Sequence, residues 1–122
     1  MSSSALRPHF SLIRDAGSLV FVSGQLAFDS YQRICDGGVA DQTRQCLRNI
    51  ERALASDGLG LQDVVKAMVW LANVDDFPSF NEAYAAAFLD LVAPARSTVR
   101  ADLMVKGALV EIEVIAVRRR PA

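Results

Sequence analysis

Apolar residues recur along this chain with two different periods, and the changes of period mark out its elements. The stretch 19-LVFVSGQL-26 is extended and β-branched. With 9-HFSLI-13 before it and 15-DAGS-18 as the turn, it predicts a hairpin. Residues 1–7 are polar and are expected to fray. The dipeptide 29-DS-30 and 36-DGG-38 punctuate a loop, with room for a short edge strand at 31-YQRI-34. From Val39 the spacing turns helical. Val39, Cys46, Leu47, Ile50, Ala53 and Leu54 fall on one face, with Asp41, Arg44, Arg48, Glu51 and Arg52 largely opposite. That helix runs to about Ser56, with Gly58 placed to close it. A strand follows at 64-VVKAMVWLANV-74. A second helix is capped by Asp75 or Asp76, has Pro78 in its first turn and carries Phe80, Tyr84, Ala87, Phe88 and Leu91 as its apolar stripe. Ala93-Pro94 ends it. Strands at 96-RSTVRADL-103 and 109-LVEIEVIAV-117, with Lys106-Gly107 between them as a turn, complete the order β-β-(β)-α-β-α-β-β.

This α+β order implies more than one chain. Two helices cover one face of a sheet of five or six strands, yet 69-VWLA-72 and 114-VIAV-117 are apolar on both faces. A sheet buried on both sides needs a second cover. Other copies of the chain are expected to supply it, making a homo-oligomer.

Composition narrows the class. The 122 residues fit one domain spanning 1–122, with 52% hydrophobic and 22% charged residues. A net charge of −1 argues against nucleic acid or an anionic membrane as partner. The basic run 118-RRR-120 is read as a solvated tail. No apolar run reaches the roughly 18 residues a membrane span needs, and a cytoplasmic location is expected. Cys35 and Cys46 form no CxxC pattern, so neither a disulfide scaffold nor a zinc site is expected. His9 is the only histidine, which excludes two-histidine mechanisms, and it is read as a surface residue.

A few polar residues do not fit a core. Arg96 opens a strand just after Pro94-Ala95, and its guanidinium fork suits a carboxylate or phosphate. A salt bridge to a neighbouring acid fits the spacing at least as well. Glu111 and Glu113 are i and i+2 on a strand, so they share a face about 6–7 Å apart. Two such charges in a half-buried place raise at least one pKa, which suits an acid/base group working near neutral pH. Ion pairing across a subunit contact accounts for them equally well. Gly24, within 23-SGQ-25, interrupts a strand and marks a bulge or a close approach to backbone.

Five segments together identify a resemblance. They are 20-VFVSGQ-25, 41-DQTRQCLRNIERAL-54, 63-DVVKAMVWLANVDDFPSFNEAY-84, 94-PARSTV-99 and 106-KGALVEIEVIAV-117. Nearly the whole chain, in order, resembles the RidA/YjgF family, also known as L-PSP endoribonucleases. The resemblance implies a chorismate-mutase-like α+β fold with a mixed six-stranded sheet and two helices on one face. It implies a homotrimer around a central β-barrel, with pockets in the clefts between subunits. The implied activity is hydrolysis of reactive enamines and imines, such as 2-aminoacrylate, to 2-oxo acids and ammonia, with no cofactor or metal. Carried over by resemblance, Arg96 grips the substrate carboxylate and Glu111 activates the water and handles the proton. Ser23, Gly24, Phe10, Asn81 and Thr98 line the site.

The chain departs from the family pattern where Phe10 replaces a tyrosine, where Met104-Val105 replaces leucine-proline, and in its arginine-rich surface. The missing phenol bears on rate and substrate preference. Two alternatives follow: a module of the same fold that binds small carboxylates without turnover, and an endoribonuclease. The second lacks paired histidines and any basic-aromatic interleaving.

Overall fold

In a computed structural model of the protein, residues 9–119 are described. The reading of residues 1–7 as a frayed end therefore lies outside the described residues. The elements are β1 (Ile13–Ala16), β2 (Leu19–Gln25), α1 (Val39–Ala55), β3 (Val64–Leu71), α2 (Phe77–Ala87), β4 (Ala95–Arg100) and β5 (Val110–Val117). They form one mixed sheet in the order β1-β2-β5-β3-β4. Only β3 and β4 run parallel, joined through α2; the other neighbours are antiparallel.

Local chemistry accounts for most of the boundaries. Gly17 takes a positive φ of 81°, and its N–H donates to Asp15 Oδ1 at 2.9 Å. This tight turn lets pairing run to Ala16, opposite Leu19, so β1 covers 13–16 rather than 9–13. The expected strand at 31-YQRI-34 is instead a turn. Asp29 Oδ1 accepts the N–H groups of Tyr31 and Arg33, Gln32 is left-handed, and only Phe28 and Ile34 bridge. An aspartate that can satisfy nearby N–H groups competes with the ladder and wins here. The sheet consequently has five strands among the described residues, not six.

Helix α1 ends as its sequence predicts. Gly58 is left-handed at φ 77°, with Gly58 N bonded to Ala55 O and Leu59 N to Leu54 O, a Schellman closure. Helix α2 is entered through a 3-10 turn, Val74–Asp76, so neither aspartate caps it by side chain. It stops at Ala87, which leaves Leu91 in a following turn and partly exposed rather than on the apolar stripe.

The two faces of the sheet differ. Val110, Ile112, Val114 and Ala116 of β5 are buried, as are Ala67, Val69 and Leu71 of β3 and Val20 and Val22 of β2. All lie beneath α1 and α2, against Cys46, Leu47, Ile50, Leu54, Phe80 and Tyr84. Truncating a fully buried residue such as Ile112 to alanine costs about 2–5 kcal/mol. The opposite face presents Leu19, Phe21, Met68, Trp70, Ile115 and Val117, of which Leu19 and Phe21 are well exposed. Among the described residues, nothing within one chain covers it.

The C-terminal arginines are not a free tail as far as they are described. Arg118 donates to both carboxylates, Asp57 and Asp15, and to Asp57 O, while its N–H bonds to Ser18 O. Arg119 pairs with Asp63 at 3.5 Å. The end of β5 passes beside the β1–β2 turn and the loop after α1, where these acids sit. Arg120 lies outside the described residues. No helix among the described residues is long and apolar enough to cross a membrane.

Candidate functional site

Arg96 is positioned by register. It pairs with Ala67 of β3, whose side chain is buried under the helices, so Arg96 points to the helix-covered face at the sheet edge. There it meets α2. Its guanidinium carbon lies 4.8 Å from the ring centre of Tyr84, 5.2 Å from that of Phe80 and 5.9 Å from that of Phe77. Arg96 Nη2 donates to Asn81 Oδ1 at 3.0 Å. Phe77, Phe80, Asn81 and Tyr84 follow one another at helical spacing, so one face of α2 supplies both the rings and the amide. No acid pairs with Arg96 among the described residues. The salt-bridge reading left open by spacing is thereby removed. A guanidinium bedded on aromatic faces and held by one neutral acceptor keeps its remaining N–H groups for an anion.

Glu111 is held differently. In β5 it alternates with buried Val110 and Ile112, which turns it to the open face beside Trp70 of β3. Strand β2 bulges between Val22 and Gln25, and Gly24 lies in that bulge. A Cβ at Gly24 would overlap the Glu111 carboxylate, so the glycine makes room for the acid. Burial raises the Glu111 pKa above the usual carboxylate value, and the charge of Glu113 adds to it. The two glutamates do share a face, and burial is the larger of the two causes. Glu113 lines a hollow of about 210 Å³ with Ser11, Arg14, Phe21 and Ser23.

The structure thus gathers the sequence-predicted residues into two groups. Arg96, Asn81 and Thr98 lie on the helix-covered face, Thr98 two residues beyond Arg96 and opposite Val69. Glu111, Gly24 and Ser23 lie at the β2–β5 pair, where Ser23 bonds back to Leu12 O and Ser11 O. Phe10 stands apart, 66% exposed, in a surface hollow with His9, Ser11 and Arg14. One chain does not bring Arg96 and Glu111 together, because they project from opposite faces of the same sheet.

Sequence reasoning assigned Phe80 and Tyr84 only to a packing stripe and left Phe77 out. Their role as the bed of Arg96 depends on which face of β4 the arginine takes. That is fixed by the parallel β3–β4 register, which no local pattern reveals. Two further groups were not anticipated: among the described residues, Tyr84 Oη and Thr98 Oγ1 are buried with no hydrogen-bond partner. The thiols are poor nucleophiles, since burial pushes up both the Cys46 and the Cys35 pKa. Among the described residues, no three His, Cys, Asp or Glu side chains converge to hold a metal ion.

Residues 2–118 match the family model described as Endoribonuclease L-PSP. A RutC family protein of Pyrococcus horikoshii is 41% identical over 102 residues, 83% of this chain and 80% of that one. The 2-iminobutanoate/2-iminopropanoate deaminase of Salmonella typhimurium is 38% identical over 86% of this chain and 84% of its own. Among solved structures, Escherichia coli TdcF with bound serine superposes with a TM-score of 0.86 at 32% identity, covering 93% of this chain and 91% of TdcF. The five-stranded sheet with two helices on one face, and a match along nearly the whole sequence, place the chain in the RidA/YjgF family of L-PSP endoribonuclease-like proteins.

Proposed function

We propose that the protein hydrolyses reactive 2-imino acids and their enamine forms to 2-oxo acids and ammonia. The reaction takes place in clefts between copies of the chain, arranged as a homotrimer around a central β-barrel. The observation that carries this reading is the division of the two key groups. An arginine without an acid partner and a desolvated glutamate project from opposite faces of one sheet, so a second copy must supply one of them. The uncovered apolar face supports the same assembly. The deaminase relative and the serine-bound TdcF support a small amino-acid-derived ligand.

In this reading the substrate carboxylate lies on the fork of Arg96, with the Thr98 backbone nearby and Asn81 fixing the guanidinium. Glu111 of the adjoining copy, as carboxylate, takes a proton from water while the water oxygen bonds to the imine carbon. That proton passes to the nitrogen to give the carbinolamine. Glu111 then takes the hydroxyl proton and delivers it to the amino nitrogen, so the C–N bond breaks, ammonia leaves, the carbonyl forms and Glu111 is again a carboxylate. An enamine such as 2-aminoacrylate first takes a proton at its terminal carbon and gives one up from nitrogen to become the imine. Gly24 leaves space for the carboxylate, and burial keeps its pKa closer to the working pH. The C=N bond is already activated, so orientation and one acid/base group suffice.

The test is direct. Imino acids are generated with an amino-acid oxidase, and semicarbazone formation is followed with and without the protein. Faster release of oxo acid, abolished by Glu111→Gln, is expected. No acceleration, with 2-oxo acid binding retained, would point to the carboxylate-binding module. A light-scattering mass of one 13.2 kDa chain at micromolar concentration would contradict the trimer.

A further inference from the structure

The surface beside Arg96 contains a pocket to which no role has been assigned. It has a volume of about 150 Å³ and is lined by Leu71, Val74, Phe77, Thr98, Val99 and Arg100. Three observations tie it to the arginine. Phe77 forms one wall of the pocket and is one of the three rings that bed the Arg96 guanidinium. Thr98 is the next residue after Arg96 on the same face of β4, about 6–7 Å along the strand. Thr98 Oγ1 is buried without a hydrogen-bond partner among the described residues, and the wall that Thr98 joins is otherwise mainly aliphatic and aromatic.

We infer that this pocket is the side-chain subsite for the acid whose carboxylate binds Arg96. It selects 2-imino acids with a medium-sized, largely apolar side chain, of the size derived from leucine or methionine, over the one-carbon side chain of 2-aminoacrylate. The inference rests on the proposed role of Arg96 and extends it to substrate choice. A carboxylate held on the guanidinium fork lies one residue pair away from the pocket mouth, which is a side chain's reach. A cavity of about 150 Å³ takes a ligand group the size of a benzene ring, so a four-carbon side chain fits and a methyl group leaves most of it empty. Each methylene moved from water into an apolar wall is worth about fourfold in binding. Three extra carbons, fully buried, therefore give up to roughly 60-fold.

The experiment compares 4-methyl-2-oxopentanoate with pyruvate by calorimetry, and kcat/KM for the matching imino acids generated with an oxidase. Wild type is expected to favour the longer acid at least tenfold. Val74→Trp fills the pocket from a position that is 63% exposed, so the fold tolerates it, and most of that ratio is expected to disappear. Thr98→Val removes the unpartnered hydroxyl at nearly constant shape and is expected to raise the ratio. Equal affinity of wild type for both acids, or a ratio unmoved by Val74→Trp, overturns the subsite. If no imino acid is hydrolysed, the deaminase reading fails while the binding ratio still decides the subsite. If 2-oxo acids bind equally well to Arg96→Ala, the role of Arg96 fails and the subsite built on it fails too.

Discussion

Arg96 and Arg118 sit on two sides of the molecule and show two uses of one side chain. Arg118, just after β5, is engaged by Asp57, Asp15 and a backbone carbonyl. Its donors are spent within the chain, and it ties the end of the sheet to two loops. Arg96, on edge strand β4, has one amide oxygen and three aromatic rings but no acid among the described residues. The rings hold the cation in place while leaving its charge uncompensated. The first arrangement holds structure together; the second leaves a charge open, which is where the proposed reading puts the substrate carboxylate.

Exchanging each arginine for alanine is the sharpest way to break that contrast. Arg96→Ala is expected to lower kcat/KM for an imino acid about 100-fold, since a charge-assisted pair with a carboxylate is worth about 1.5–3 kcal/mol. Its thermal midpoint should change little. Arg118→Ala should do the reverse, with a lower melting midpoint and nearly unchanged kcat/KM. Equal effects of both variants on activity would erase the distinction.

A smaller effect is expected where glycine makes room for the acid. Gly24→Ala pushes a methyl group into the Glu111 carboxylate and displaces it. Steady-state kinetics should show kcat falling about tenfold with KM nearly constant, because the substrate carboxylate site is untouched. An unaltered kcat would mean that the carboxylate position does not matter.

The mildest signature is in pH. Burial, with Glu113 second, raises the folded-state pKa of Glu111, so the acid limb of kcat should lie above the usual glutamate value of about 4.3. The linked effect on stability has a definite sign. A carboxyl with a raised folded pKa favours folding below its unfolded pKa, and this contribution is lost as pH rises through the folded value. Glu111→Gln should therefore melt higher than wild type at pH 7 and lose that advantage toward pH 4. A glutamine variant no more stable than wild type at pH 7 would remove the desolvation argument.

Much of this was legible in the sequence. The periodicity of Val39–Leu54, the closing glycine at 58 and the helix-facing apolar positions of β3 and β5 translate directly into burial. What was not legible depended on contacts between distant residues. The segment 31-YQRI-34 has strand composition, yet the Asp29 carboxylate binds its N–H groups and makes a turn. Arg118 looked like part of a free tail because its partners, Asp15 and Asp57, are far away along the chain. The spacing of Glu111 and Glu113 gave their common face, but not the bulge that seats Glu111 against Gly24. Nor could spacing place Arg96 on the opposite face, which is the fact that calls for a second copy.

That last fact can be tested by complementation. Arg96→Ala and Glu111→Gln chains, each inactive alone, are co-expressed with different tags and the mixed assemblies isolated. If each cleft takes Arg96 from one copy and Glu111 from its neighbour, every mixed trimer keeps one intact cleft of its three, as a head-to-tail ring requires. Imino-acid hydrolysis near one third of the wild-type rate is the predicted result. Mixed assemblies as inactive as either parent would contradict the two-chain site.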